Sequence, residues 1–306
     1  MMYSQLLSGL GITTVSFLSI KLLRFVSLYT KSSSLKPYLH GDSPWAFVTG
    51  ASDGIGRGFA QELAKIGFNV IIHGRNPTKL ESVKHQINVE SPNVQCRIAV
   101  ADASTATNKQ IEEMVASFSD LHFTVLINNV GGGAKVQTLE ESSADEVDSA
   151  MNINARFPAQ LTKVLLPRLT GMPGPKLIMN IGSLGDLGIP YAVVYGGCKA
   201  FNTSMSSCLS VELRVQGRSD IEVLAILVGQ VVDTSHTKEP ATFFKPPART
   251  MAKAALQRVG RGRAVVVGYF GHAIQKALID IMPISFFESL VLPTMSKKYE
   301  EAKKNH

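Results

Sequence analysis

The stretch that most constrains the fold is residues 45–57, WAFVTGASDGIGR. Its apolar run reads as a buried strand that breaks at Gly50 into a turn and enters a helix near Gly54. Such a turn gathers bare backbone N–H groups and the positive end of a helix dipole at one point, which makes an anion site. Gly50 lets the chain leave the strand tightly. Gly54 removes a side chain where a pyrophosphate would approach, and Gly56 lets the helix pack close to the sheet.

The spacing, G-x-x-x-G-x-G, is one residue off the G-x-G-x-x-G dinucleotide fingerprint. A glycine-rich turn without a ligand is the plain alternative, and the segments that follow weigh against it. Residues 59–66 carry apolar side chains at helical spacing, 68–72 read as a second buried strand, and a helix starts at Pro77. Further strands are expected at 94–100, 123–127, 176–181 and 264–267. Strands alternating with helices predict an α/β fold, a doubly wound parallel sheet of Rossmann type with about seven strands. At 306 residues the chain suits one large α/β domain with extensions.

The second strand ends in His73-Gly74-Arg75. A site preferring NAD places an acidic residue about 20 residues after the glycines, to hold the ribose 2′-hydroxyl, whereas an arginine suits a 2′-phosphate. Arg75, with Arg57 as a second cation near the turn, therefore predicts NADP(H); the alternative is that Arg75 only caps a solvated loop. Asp102, at the end of the third strand, either accepts from an adenine amino group or caps the next helix. The fourth strand runs into Asn128-Asn129-Val130-Gly131. Paired amides there bridge neighbouring strand ends, and Gly131 leaves room for a ribose.

The fifth strand delivers Ser183, and Tyr195 and Lys199 follow four residues apart, so on one helix they share a face. An ammonium beside a tyrosine favours the phenolate and brings proton exchange toward neutral pH. Ser183 can then hydrogen-bond a substrate carbonyl while Tyr195 hands it a proton. A second Y-x-x-x-K, Tyr299 and Lys303, lies in the charged tail with no strand-borne serine before it. Cys198, inside the first motif, reads as a small core-facing residue.

An almost uncharged run at 6–20 continues past Lys21 and Arg24 to about Tyr29. With the basic side chains snorkelling, it has about the 20 residues that cross a bilayer. A cleaved signal peptide is the competing reading, but no Lys or Arg precedes the run. Lys21, Arg24, Lys31 and Lys36 all lie at its far end, which orients the remainder to the cytosol. The end Lys303-Lys304-Asn305-His306 is either a dilysine placed as in KKxx endoplasmic-reticulum retrieval signals or a solvated basic tail. Net charge is +7, yet the basic residues are scattered and no nucleic-acid motif accompanies them, so a membrane surface or an anionic cofactor accounts for it better. Cys96, Cys198 and Cys208 have neither metal nor disulfide spacing, which points to a reducing compartment.

In order and spacing, TGASDGIG at 49–56, NNVG at 128–131, Asn154, Ser183 and Tyr195-Gly-Gly-Cys-Lys199 resemble the short-chain dehydrogenase/reductase family over residues 45–235. The resemblance implies that Tyr195 is the general acid, Lys199 also holds the nicotinamide ribose, Ser183 orients the carbonyl and Asn154 supports a water-linked proton relay. In isolation an asparagine early in a helix is more often a cap. It further implies cofactor contacts from Gly50, Ser52, Asp53, Gly54, Ile55, Gly56, Arg75, Asp102, Asn129, Gly131, Tyr195, Lys199, Val232 and Thr234, and no metal.

Val130 in the NNxG motif, the helix text GIGRGFAQELAKIGFNVII, the anchor and the dilysine end resemble the very-long-chain 3-oxoacyl-CoA reductases, a branch that includes membrane-bound 17-beta-hydroxysteroid dehydrogenases. That implies NADPH-dependent reduction of a lipophilic ketone, an acyl-CoA 3-oxo group in microsomal elongation or a steroid-like substrate, at the endoplasmic-reticulum membrane. Elongation-complex partners and a homodimer are compatible with it. A non-catalytic NADPH-binding membrane scaffold is a rival from another class. Three features depart from the family pattern. Gly229-Gln230 replaces a usual Pro-Gly, Gly196 and Gly197 follow the tyrosine and loosen its helix start, and Gly182 stands where a second serine is frequent.

The expected organisation is an anchor and linker at 1–40, a reductase domain at 41–270 and an apolar helical extension with a basic tail at 271–306. Residues 235–249, Pro-rich and carrying Phe243-Phe244, read as a lid over the substrate mouth. Arg258, Arg261 and Arg263 either meet phosphates or headgroups, or belong to a solvated turn. Charges and prolines interrupt the apolar stretch at 271–295, which fits an interfacial helix or a cover better than a second span.

Overall fold

The computed structural model describes residues 2–31, 35–132, 135–234, 237 and 239–304. Its strands are β1 (Pro44–Val48), β2 (Asn69–Gly74), β3 (Cys96–Val100), β4 (His122–Asn128), β5 (Lys176–Ile181), β6 (Ile221–Leu227) and β7 (Val265–Val267). They form one sheet of order β3-β2-β1-β4-β5-β6-β7, parallel at every pairing. β1 and β5 are buried at every position, as strands covered on both faces must be. Six strands overlap those expected. β6 falls in a segment not singled out from the sequence, although IEVLAIL is an apolar run of strand length.

The helices are α1 (Met2–Thr30), α2 (Gly54–Ile66), α3 (Pro77–Glu90), α4 (Asn108–Ala116), α5 (Ala144–Met151), α6 (Phe157–Thr170), α7 (Val193–Val215), α8 (Ala248–Leu256), α9 (Phe270–Ile281) and α10 (Ile284–Lys304). One core packs Phe59 and Leu63 of α2, Leu80, Val83 and Ile87 of α3, and Met251 and Leu256 of α8 on one face of the sheet. The other packs Ile111 of α4, Phe157, Leu161 and Leu165 of α6, and Leu213 of α7 on the opposite face. Each such side chain, fully buried, contributes about 1.5–3 kcal/mol of transfer free energy. After β3 the chain returns to pair β4 on the far side of β1, and the carboxyl ends of β1 and β4 flank the crevice that this reversal creates.

Within α1, residues Gln5–Thr30 are long and apolar enough to cross a membrane. The helix is exposed over most of its length, but its foot is fixed to the sheet edge. Leu28 is buried, Tyr29 Oη donates to the Val267 carbonyl at 2.8 Å, and Phe25 and Tyr29 meet the Phe270 ring at 6.0 and 5.3 Å. Arg258, expected at the surface, is 2% exposed. Its guanidinium donates to the Leu28 and Ala254 carbonyls and covers the Tyr29 ring at 4.7 Å. It clasps α1 and does not face solvent.

The apolar stretch after 270 breaks at Met282-Pro283 into α9 and α10, and α10 buries none of its side chains. Ser235, His236 and Lys238 of the expected lid, and Asn305 and His306 of the basic end, lie outside the described residues. The described part of the expected lid divides: Glu239, Ala241 and Pro247 line a cavity with Asp53, Arg57 and Thr234, whereas the two phenylalanines lie elsewhere. Phe243 packs on Phe244, Tyr269 and Phe270, near the foot of α1, and neither phenylalanine lines the cavities beside Tyr195.

Candidate active site

The crevice at the carboxyl ends of the strands holds a cavity of about 440 Å³ lined by the glycine turn, Arg75, Asp102, Asn129, Gly131, Ser183, Tyr195, Lys199 and Thr234. Gly50 has φ +64°, and an added Cβ would stand 2.8 Å from Val130 Cα. A Cβ on Gly56 would stand 2.2 Å from the Gly50 carbonyl oxygen, so Gly56 seats the helix on the turn itself as well as beside the sheet. Thr49 and Asn129 hold this turn to the end of β4. Thr49 Oγ1 accepts the N–H groups of Asn129 and Val130 at 2.9 and 3.0 Å, and Asn129 Nδ2 donates to the Thr49 carbonyl at 3.0 Å. Asn128 Nδ2 bridges to Thr162 and Asn180, each at 2.8 Å. The amide pair thus ties β1, β4, β5 and α6 together. The Asp53 side chain does not cap α2, whose first-turn amides border the cavity through Gly54 and Ile55. That is the geometry of an anion site.

Asp102 caps a turn and not a helix. Its Oδ1 accepts the N–H and O–H of Ser104 at 2.9 and 2.7 Å, whereas Thr107 and Gln110 form the capping box of α4. Burial raises its carboxyl pKa, but the Ser104 bonds and the Arg75 guanidinium at 3.7 Å outweigh this and hold it below the usual range. Arg75 itself stands 73% exposed at the mouth. Arg57, expected as a second cation for the cofactor, pairs with Asp233 at 3.8 Å. His73 lines the cavity wall, fully buried and stacked on Phe157 at 4.9 Å, and burial pushes its pKa down to about 4.

Ser183 follows β5 and opens a 3-10 turn, its Oγ accepting the Gly185 N–H at 3.0 Å. Tyr195 lies in the first turn of α7 and Lys199 one turn later. Lys199 is buried, donates to the Ile181 carbonyl at 2.9 Å, and has Nζ 5.5 Å from the Tyr195 ring centre. An added Cβ on Gly131 would stand 2.9 Å from both Lys199 Nζ and Asn154 Oδ1. The space that Gly131 leaves is therefore taken by these two side chains. Gly196 is packed as well as permissive, since a Cβ there would meet the Gly185 carbonyl at 3.1 Å, while Gly197 borders open space.

Asn154 is not a cap. It sits in a π-helical turn, Asn152–Arg156, between α5 and α6, a distortion that recurs at functional sites. Its amide grips Gly132 in both directions at 2.9 Å, and its backbone carbonyl accepts Asn202 Nδ2 at 2.7 Å. Val232 lines a neighbouring cavity with Asp53, Arg57 and Thr234. Its side chain is buried and its backbone pairs with Pro246 and Ala248, while Val228 and Val231 line the crevice. Thr234 meets the cavity over Gly54, whose added Cβ would lie 3.3 Å from the threonine methyl. Thr49, Asn202 and His73 carried no local signal, because each gains its contact from a distant segment.

A second cavity of about 210 Å³ runs from Tyr195 past Tyr191, Val193, Val194, Leu139 and Glu146. The tail Y-x-x-x-K lies against its rim. Tyr299 stacks on Tyr191 at 4.5 Å, and its hydroxyl donates to Glu141 at 2.7 Å, 3.4 Å from which stands Lys303 Nζ.

Residues 44–242 match the family model described as short chain dehydrogenase. A very-long-chain 3-oxoacyl-CoA reductase of Mycosarcoma maydis is 31% identical over 273 residues, 85% of this chain and 76% of that protein. A reductase of the same name from Caenorhabditis elegans is 29% identical over 97% of this chain and 98% of its own length. Among solved structures, a Sphingobium yanoikuyae short-chain dehydrogenase in complex with NADPH superposes with a TM-score of 0.62 at 24% identity, over 78% of this chain and 96% of that one. Strand order, crevice and relatives agree: this chain belongs to the short-chain dehydrogenase family, and it is a nicotinamide-dependent oxidoreductase.

Proposed function

We propose that this protein is an NADPH-dependent reductase that converts the 3-oxo group of long-chain acyl-CoA to a hydroxyl, held at the endoplasmic-reticulum membrane with its crevice facing the cytosol. The observation that carries the reading is the convergence of Ser183, Tyr195 and Lys199 on one cavity beside the glycine turn. The cradle fits a dinucleotide, because the glycine turn and the amide end of α2 border a cavity of about 440 Å³ on its phosphate-binding side. Exposed Arg75 in the crevice lining offers a cation to a ribose 2′-phosphate, which favours NADP(H) over NAD. When bound, the nicotinamide supplies a hydride. Ser183 orients the substrate carbonyl by hydrogen bonding, and Tyr195 donates the proton that the developing alkoxide needs. Lys199 holds the ribose and, by its charge, stabilises the phenolate that Tyr195 leaves behind. Asn154 orders the path along which that proton is replaced. The acyl-CoA assignment draws on the names of the two relatives, and the location draws on α1 and the basic residues Lys21, Arg24, Lys31 and Lys36 at its end.

The test is NADPH oxidation by solubilised wild-type protein and Tyr195→Phe, with a long-chain 3-oxoacyl-CoA beside steroid and other lipophilic ketones. Turnover of the acyl-CoA is expected, with kcat/KM reduced about 10²–10⁴-fold in the variant. Turnover confined to a steroid would keep the mechanism and replace the substrate. Hydride transfer unaffected by the substitution would refute the role of Tyr195.

A further inference from the structure

Gly229 and Gln230 follow β6 where the family usually carries proline and glycine, and the structure shows what stands in for that rigid pair. His272, in the first turn of α9, is fully buried. Its Nδ1 accepts the Gly229 N–H at 3.1 Å, and its Nε2 lies 3.0 Å from the Gln230 carbonyl oxygen. A ring whose Nδ1 accepts must carry its proton on Nε2, so the contacts specify one neutral tautomer. Burial lowers the pKa of the ring, against the pull of the Gln230 and Phe244 backbone groups.

The two departures require one another. A proline at 229 would have no N–H to give. A Cβ there would stand 2.8 Å from His272 Cδ2, inside van der Waals contact. The histidine can occupy its place only because 229 is glycine, and the flexible Gly229-Gln230 pair is held because the histidine is there.

We propose that His272 is a positioning residue for the cofactor, fixing from the C-terminal extension the segment 228–234 that the family otherwise stiffens with a proline. This rests on the reading that this segment flanks the nicotinamide; Val228, Val231 and Thr234 line the crevice. The same turn of α9 touches more than the loop. A Cβ on Gly271 would lie 2.4 Å from the Phe243 carbonyl, the Tyr269 ring meets His272 edge-on at 5.3 Å, and Phe270 packs on Phe25 and Tyr29 of α1. One helical turn thus joins the cofactor loop to the foot of the anchor helix.

The experiment measures the NADPH dissociation constant by nucleotide fluorescence in solubilised full-length protein, with thermal unfolding and steady-state kinetics alongside. Loss of two hydrogen bonds in His272→Ala is expected to weaken NADPH binding about tenfold. In that variant kcat at saturating NADPH should stay within about threefold of wild type. Gly229→Pro alone should bind at least as weakly, through the lost N–H and the clash. The compensated variant Gly229→Pro/Gln230→Gly/His272→Ala should return to within about threefold of wild type. A merely structural histidine would lower the melting temperature without shifting the dissociation constant and without rescue. His272→Ala binding NADPH as wild type does would overturn the proposal. So would a compensated variant no tighter than His272→Ala. If His272→Ala gives no cooperative transition, the comparison passes to Gly229→Pro, and a compensated variant no tighter than it also overturns the proposal. Wild-type protein that binds no NADPH would remove the underlying cofactor reading, a distinct failure visible before any variant is made.

Discussion

Arg75 pairs with Asp102 at 3.7 Å while 73% exposed, and such a surface pair contributes little to folding. Its removal should therefore register in cofactor choice. Arg75→Ala is expected to lower the ratio of NADPH to NADH efficiency about 10–100-fold, the range for losing a charged hydrogen bond, with an unchanged melting temperature. Kinetics with both nucleotides check this, and an unchanged ratio would remove Arg75 from the role. His73 behaves in the opposite way. Burial pushes its pKa from 6.5 down to about 4, against the Ala101 backbone and the Asp102 carboxylate. Above the unfolded pKa it costs nothing. Between pH 6.5 and 4 the unfolded chain binds a proton that the folded one refuses, so stability falls with falling pH, by up to about 3 kcal/mol. Urea titrations of wild type and His73→Phe across that window should show a flatter acid limb in the variant; parallel limbs would mean that His73 charges in the folded state. Arg75 was legible in the sequence because it follows the apolar run of β2. The burial of His73 was not, because it depends on Phe157, which no local pattern links to it.

At the scale of elements, periodicity carried furthest where the signal was local. α3 starts at the expected Pro77, and Tyr195 and Lys199 share a helix turn as their spacing required. Elements defined by a partner were harder. The π-helical turn that turns Asn154 toward Gly132 has no signature in NINAR, since it exists to satisfy contacts made by Gly132 and Asn202. The role of Arg258 was likewise hidden, because α1 supplies its carbonyl partner from the far end of the chain. Arg258→Met should free the foot of α1. Trypsin cleavage at Lys31 is expected to accelerate about tenfold, as local opening loses a charged hydrogen bond. An unchanged rate, followed by gel and mass spectrometry, would show that the aromatic contacts of Phe25 and Tyr29 suffice.

For the whole molecule, exposed apolar surface is not confined to α1. Beyond α1, exposed apolar side chains continue through Leu278, Ile281, Ile284, Phe286, Leu290 and Leu292 on α9 and α10, with the hydrophobic character of an interfacial surface. A protein lacking residues 1–36 is expected to leave membranes under alkaline carbonate yet still float with liposomes at neutral pH. Retention after carbonate would show that α1 is not the only firm attachment, and loss of flotation would confine attachment to α1. The sequence by itself determined the strand, glycine turn and helix at 45–57, the alternation that forces a doubly wound sheet, the apolar helix near the N-terminus and the single face shared by Tyr195 and Lys199. Each follows from backbone preference and side-chain period over a few residues. Only the tertiary structure decided that the space at Gly131 is taken by Lys199 and Asn154, that Val231 lines the crevice, that Tyr299 stacks on Tyr191 and that the His272 ring meets the Gly229-Gln230 backbone. These are clearances of a few tenths of an ångström and pairings of buried polar groups between remote segments, and such terms exist only once the chain has closed on itself.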